Sequence, residues 1–446
     1  MRWVTLVALT VALSAGLVLR AGVTPSQWNW SVLLISIAGV SYWWRVRGRE
    51  RAPGDAWTLG LAIAFVSWCA LQIVPLPLSL IGLISPKSAE LSRAAGSTAW
   101  ATLSIAPAET FSRLLELGGA IVTFLLAREL CWSWRRNSWI PAAPLIVAGL
   151  AEAITGALQA YAQDPGTNSR AAHGTFVNSN HFAAFLEMTM PLALAGGAAI
   201  YRAGSTPRHA RPAAPALQAS ALLGCGALML AVLAASQSRM AFLGALCSLL
   251  VMGVISVTAV EQRMYRRPPI GRRLLAGLAV FVAVGLLFLL VPPKALVERY
   301  GLLAGKGGEL GDMRLLIWHE TVPLAKIYPV AGSGLGSYES AFMQFKKVAP
   351  MFRVDFAHND YLQILVELGV IGLAIGLTLI FRIVNRLLTV ALFHKENRGW
   401  ELAVGLAGAI TALLLHSGAD FNLYIPANAM ALAWLCGLAV SPGLRD

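Results

Sequence analysis

The sequence predicts an all-α protein, a polytopic membrane helix bundle of about 12 transmembrane helices. Three observations carry that expectation. The 446 residues are 57% hydrophobic and 13% charged, with a mean hydropathy of +0.65; a soluble domain of this length carries more charge. The apolar runs reach the roughly 20 residues that a helical span needs. None shows the two-residue alternation of a membrane β-barrel.

Spans are expected near 3–20, 28–44, 56–75, 112–130, 139–161, 181–201, 215–236, 240–258, 274–292, 359–381, 401–417 and 424–441. The first follows Met1-Arg2 and others come at once, so it reads as an uncleaved helix, not a signal peptide. The second ends at Arg45, Arg47, Arg49 and Arg51. Beyond the third, the semi-polar stretch 76–111 should lie along the membrane interface as short amphipathic helices. Arg135 and Arg136 separate the fourth from the fifth. The polar segment QDPGTNSRAAHGTFVNSNH leads into the sixth. The run 215–258 is too long for one span and is interrupted only by Ser236-Gln237-Ser238-Arg239, so a tight turn must split it. The ninth span opens into the only long polar segment, about 294–358, and His358-Asn359-Asp360 closes that segment at the start of the tenth. The chain thus divides into 1–293 (nine spans), 294–358 (a loop domain) and 359–446 (three spans). No internal repeat is evident.

Charge sets the direction. The net charge of +13 is carried in short clusters between apolar runs, a topology signal rather than a nucleic-acid surface. About 21 Lys/Arg fall on one face and about 14 on the other, about eight of these in the long loop. The richer face includes Arg202, Arg208 and Arg211, then Arg263, Arg266, Arg267, Arg272 and Arg273, then Arg382, Arg386, Lys395 and Arg398. Both termini should therefore be cytoplasmic and the 294–358 loop should face outward. His173, His181, His319, His358 and His416 then share the outer side, with His209 and His394 inside. Chemistry there has no access to ATP or nucleotide sugars. The five cysteines have no ligand spacing, so neither a disulfide framework nor a zinc site is expected.

Several polar residues gather at the outer ends of the spans. Arg239, at the tight turn, sits at the membrane surface; it either clamps an anion with its guanidinium fork or serves as a snorkelling or ion-paired structural residue. Arg314 lies in a short loop helix with Asp312 as N-cap. A cation in a first turn is unfavourable against the helix dipole unless an anion is bound nearby. The segment Tyr328 to Tyr338, rich in glycine, reads more readily as a turn than as a phosphate loop. His358 is the candidate general base; alternatively it caps the next helix, or Asp360 orients it. Asn180 and His181, Asn359 and Asp360, and His416 and Asp420 add a polar rim. Glu152, Glu187 and Glu367 lie within spans, where carboxylates are functional candidates or structural partners of arginines.

Taken in order, Ser238-Arg239, Arg314 with Trp318, Gly334-Leu335-Gly336-Ser337-Tyr338, His358-Asn359-Asp360-Tyr361-Leu362-Gln363, Glu367-Leu368-Gly369 and Asp420-Phe421-Asn422 resemble the O-antigen ligase and Wzy-type polymerase superfamily. Gly174-Thr175-Phe176 with Asn178, Asn180 and His181 fits as well, so the resemblance runs over roughly 170–430. Arg239 is followed by Met240, where the family often has a small residue. The resemblance implies a fold related to the C-type glycosyltransferases, in the inner membrane of a bacterium, with a periplasmic active site. It implies transfer of a glycan from an undecaprenyl-diphosphate-linked oligosaccharide donor to a hydroxyl, with no metal or other cofactor. The acceptor would be lipid A-core (ligase), a second lipid-linked glycan (polymerase) or a protein hydroxyl. Arg239 and Arg314 would bind the diphosphate, and His358 would activate the acceptor. A transporter or flippase is the competing expectation, motivated by the three intramembrane glutamates.

Overall fold

The computed structural model describes residues 2–46, 51–162, 171–204, 213–261, 313–347, 353–394 and 397–445. The expected span 274–292, Asp312, His209, Lys395 and the arginines at 47, 49, 208, 211 and 263–273 lie outside them. The described chain is helical apart from one ribbon: α1 (Arg2–Val18), α2 (Pro25–Arg45), α3 (Ala56–Leu71), α4 (Leu78–Ile84), α5 (Pro86–Ala94), α6 (Pro107–Ser133), α7 (Ala143–Ala162), α8 (Ser179–Gly204), α9 (Ala213–Ala235) and α10 (Arg239–Glu261), then α11 (Met313–Ile327), α12 (Tyr338–Phe342), α13 (Asp360–Phe393), α14 (Trp400–His416) and α15 (Pro426–Val440). Eleven of the twelve expected spans fall on these helices. Among the described residues, five helices are long and apolar enough to cross a membrane by length and composition: α7, α8, α9, α10 and α13. Helices α1, α3, α14 and α15 are apolar but shorter.

Helices α8, α14 and α15 are buried along nearly their whole length and form the centre of the bundle. Small residues let them approach. A side chain added at Gly405 would strike the Pro191 carbonyl, and one at Gly437 would strike the Phe124 carbonyl, the close packing expected of membrane helices. The surrounding helices turn Trp57, Ile63, Leu158, Leu217 and Phe381 outward, as a lipid-facing surface allows. At one end of the bundle Asp55 binds Arg382, Arg386 and Thr58. Burial raises this carboxyl, but those partners bring it down to about 2. Helix α13 continues past the expected span end at 381 to Phe393, and Arg382 and Arg386 on that extension pair with Asp55.

Two further features depart from the sequence pattern. The 76–111 stretch forms the expected short helices α4 and α5, and also a two-residue antiparallel ribbon, β1 (Leu76–Pro77) with β2 (Trp100–Ala101). Helix α13 is broken at Gly369, with φ 66° and ψ −173°. The glycine-rich turn docks there: Val370 N–H donates to the Pro329 carbonyl at 2.8 Å, and Ser333 N–H to that of Val366 at 2.8 Å. Only glycine takes this backbone geometry readily, and a Cβ at 369 would collide with the Val330 carbonyl. Gly369→Ala is expected to lower stability by about 2–4 kcal/mol, read as an earlier thermal unfolding transition of the detergent-solubilised protein.

Part of the expected loop domain has a core of its own. Ile317, Leu324, Tyr328, Tyr338, Phe342, Val354 and Val366 pack together, and Thr321 Oγ1 meets the Tyr338 hydroxyl at 2.7 Å. This packing fixes α11 and α12 against the start of α13.

Candidate active site

Asp420 is the hub. It lies in the connection between α14 and α15, with its side chain fully buried. Four basic side chains from four parts of the chain converge on it. His181 Nε2 of α8 lies 3.4 Å and His358 Nδ1 3.6 Å from Oδ1. Arg314 Nη2 of α11 lies 3.5 Å and His416 Nε2 of α14 3.9 Å from Oδ2. Burial alone raises the Asp420 carboxyl, but the facing imidazoles of His181, His358 and His416 hold it well below the usual carboxylate range. A carboxyl lowered on folding stabilises the fold above its ordinary value of about 4 and loses that contribution as pH falls through the lowered one. Asp420 is therefore an anion throughout the neutral range.

Local structure delivers His358 to this anion. Its backbone is left-handed, φ 50°, a conformation a non-glycine residue adopts only when its surroundings impose it. Here they do. Trp318 Nε1 donates to the Ala357 carbonyl at 2.9 Å, and Ala357 N–H donates to Gln363 Oε1 at 2.9 Å. On the other side Asn359 caps α13 by accepting from Leu362 N–H at 3.0 Å, and its amide donates to the Gly418 carbonyl at 2.8 Å. Asp360 is buried. Its N–H donates to the Ser417 and Asp420 carbonyls at 2.8 and 3.1 Å, and its carboxylate accepts from Leu423 N–H. Asn359 and Asp360 thus lock α13 onto the Asp420 connection. Asp420, not Asp360, is the carboxylate that faces the imidazole of His358.

The remaining candidates take distinct places. Asn180 sits in the first turn of α8, where its N–H donates to Asn178 Oδ1 at 2.8 Å. Arg239 begins α10 directly after the turn Ser236–Ser238, with Gln237 left-handed at φ 59°. Helices α10 and α14 run antiparallel, with Gly244 against the Ala412 carbonyl and Ser248 against Gly408. Arg239 lies five residues before Gly244, about 7.5 Å along the axis, and His416 four residues beyond Ala412, about 6 Å. Arg239 therefore stands at the level of His416, at the same end of the bundle as Asp420.

Two contacts of this site were not evident from the sequence, although the sequence singles out both residues. Phe421 makes T-shaped contacts with both histidines, with ring centroids 4.5 Å from His181 and 4.8 Å from His358, and stacks on Phe356 at 4.1 Å. This aromatic wedge fixes the planes of both imidazoles. Glu187, fully buried in α8, places Oε1 3.0 Å from His416 Nδ1. Its only sequence signal was a carboxylate in an apolar helix. The glycine-rich turn does bind a carboxyl group, that of the chain's own Glu367. Gly336 N–H and Tyr338 N–H donate to that group at 2.7 and 3.3 Å, and the Tyr424 hydroxyl donates at 2.6 Å. Glu152 is likewise held by Thr175, through N–H at 2.9 Å and Oγ1 at 2.7 Å.

Residues 224–377 match the family model described as O-antigen ligase. Over this segment, about a third of the chain, the sequence is similar to the O-antigen ligase family. The matched segment contains Arg239, Arg314 and His358. No curated protein matches the chain. With its apolar helices, the O-antigen ligase segment marks a multi-pass membrane protein. His181, His416 and Asp420 lie outside the matched residues, yet they complete the cluster around His358. Beside the O-antigen ligase segment, a cavity of about 700 Å³ opens among α2, α6, α13 and α15. Its walls are apolar, Ser417, Leu423 and Tyr424 bound it near the Asp420 connection, and Arg113 pairs with Glu116 at 2.8 Å on its wall.

Proposed function

We propose that the protein transfers a glycan from undecaprenyl diphosphate to a hydroxyl acceptor at the periplasmic face of a bacterial inner membrane. The observation that supports this most directly is the convergence of His358 and Arg314 on Asp420, with Arg239 at the same level of the bundle.

The chemistry follows from that geometry. Nδ1 of His358 faces Asp420, which leaves Nε2 to accept a proton from the acceptor hydroxyl. The freed oxygen attacks the anomeric carbon from the face opposite the leaving group and forms the new glycosidic bond. The bond from that carbon to the diphosphate oxygen breaks, and undecaprenyl diphosphate departs with the electron pair, inverting the anomeric centre. Negative charge grows on the diphosphate during the step. Arg239 and Arg314 would stabilise it, each contact being worth roughly 3–4 kcal/mol in the transition state. A guanidinium carries five donors, so one edge can hold a carboxylate while another holds a phosphate.

The apolar cavity suits the isoprenoid chain of the donor. Narrowing it with Ala433→Phe is expected to raise the KM for donor several-fold with kcat little changed, as steady-state kinetics would show. The three glutamates that motivated a transporter are each held by named partners, which favours the transferase.

The deciding experiment supplies lipid-linked donor to the purified protein in vesicles and resolves the products. A ladder on the lipid-linked donor alone identifies a polymerase. A product that appears only with added lipid A-core identifies a ligase, and glycan on added protein identifies an O-oligosaccharyltransferase. Absence of transfer to every acceptor overturns the proposal.

A further inference from the structure

Glu187 and His416 are the most completely buried ionisable pair near the site, and the transfer step described above makes no use of either. Both side chains are fully buried. Nδ1 of His416 faces Glu187 Oε1 at 3.0 Å, and Nε2 faces Asp420 Oδ2 at 3.9 Å. A histidine between two carboxylates keeps an N–H toward the one that stays ionised, here Asp420, and shares one proton with the other. Whichever side of the Glu187–His416 contact the shared proton occupies, Nε2 carries its own N–H toward Asp420. Helix α10 closes the other side of the pair: a Cβ at Gly244 would come within 2.6 Å of Glu187 Oε2. Helix α10 therefore packs directly against the pair.

We infer that Glu187 and His416 are positioning residues for the transferase, a buried dyad that presents a fixed N–H to Asp420 and so keeps its Oδ1 turned toward His358. The inference rests on the transferase reading. It joins residues of α8, α14 and the Asp420 connection into one chain: Glu187, His416, Asp420, His358. Neither dyad member reaches the reacting atoms, since both are sealed inside the bundle. Their effect passes through Asp420.

The groups facing the chain are Glu187 and His181 from α8, Arg314 from α11, His358, and Asp420 itself. Removing the Glu187 carboxylate weakens the hold on the second proton of His416. The negative charge of Asp420 then goes less compensated, and the His358–Asp420 unit takes up a proton more readily. With the shared proton on His416, the acid limb of kcat/KM moves to higher pH, by roughly one unit for the loss of a charge at this range.

The test uses Glu187→Gln, His416→Gln and His416→Leu in vesicles, each first shown to insert and to unfold above the assay temperature. Glu187→Gln is expected to lower kcat by roughly ten- to hundredfold with donor KM unchanged, and to shift the acid limb upward. His416→Gln keeps an N–H donor and should retain more activity than His416→Leu. Should Glu187→Gln fail to insert, the His416 pair carries the same comparison. Unchanged kcat and pH profile in Glu187→Gln, or equal losses in the two His416 variants with no shift in the profile, overturn the inference and leave a packing role. Failure of the wild-type protein to transfer glycan would instead remove the transferase reading beneath it.

Discussion

His358→Asn protein is expected to lose glycan transfer by roughly 10²–10⁴-fold, the usual contribution of a positioned general base, while still binding donor. Asparagine is the informative replacement because of the backbone. His358 has φ 50°, a region that asparagine tolerates and alanine resists by about 1–2 kcal/mol. His358→Ala therefore combines loss of the imidazole with strain in the segment that Trp318 and Gln363 clamp. His358→Asn removes the imidazole and leaves the turn. Equal losses in the two variants, at equal thermal stability, assign the effect to proton transfer. Single-turnover transfer with preloaded donor separates chemistry from binding. If His358→Asn retained transfer near the wild-type rate, His358 would not be the base, and His181, the other imidazole on Asp420 Oδ1, would take its place in the mechanism.

The helices were legible because a bilayer leaves few alternatives to a run of apolar residues. What escaped the sequence was set by tertiary contact. Apart from Glu367, the run Val366-Glu367-Leu368-Gly369-Val370-Ile371 is apolar, and only the docking of residues 329–337 reveals that Gly369 interrupts the helix. The pairing of Arg382 and Arg386 with Asp55 joins residues more than 320 apart in sequence, which no local pattern could show. In the site, the residue types were legible and the pairings were not. His358, Asp360 and Asp420 were all visible as polar residues at span ends, but choosing the carboxylate that faces the imidazole required the fold of the connection between α14 and α15. Asp360 is adjacent in sequence and bonds to the Leu423 N–H; Asp420 is remote and faces the ring. Phe421 and Glu187 were in view, in the Asp420-Phe421-Asn422 run and as an intramembrane carboxylate, but their partners were not, since a phenylalanine and a lone intramembrane carboxylate each have common structural uses.

Arg314→Ala is expected to reduce transfer by roughly 10²–10³-fold, the scale of one lost preorganised contact to developing charge. Arg314→Lys should recover only part, because an ammonium does not reproduce the planar fork. The position of Arg314 raises a sharper question, since its guanidinium lies 3.5 Å from Asp420. A loss of activity could arise from the donor diphosphate or from Asp420, which would keep its three histidines but lose one cation. A double-mutant cycle separates the two. If Arg314 acts only through Asp420, then Asp420→Asn already removes its contribution, and adding Arg314→Ala costs nothing more. If Arg314 contacts the leaving diphosphate, its removal costs nearly the full factor in either background. The second outcome is expected. A guanidinium needed only to compensate Asp420 would be redundant beside His181, His358 and His416, whereas no imidazole supplies the two parallel donors that a phosphate can accept. The same cycle between Arg239 and Arg314 should show strong coupling, because two cations sharing one diphosphate do not act independently. Additive losses for that pair would place Arg239 on a different group and remove it from the leaving-group site.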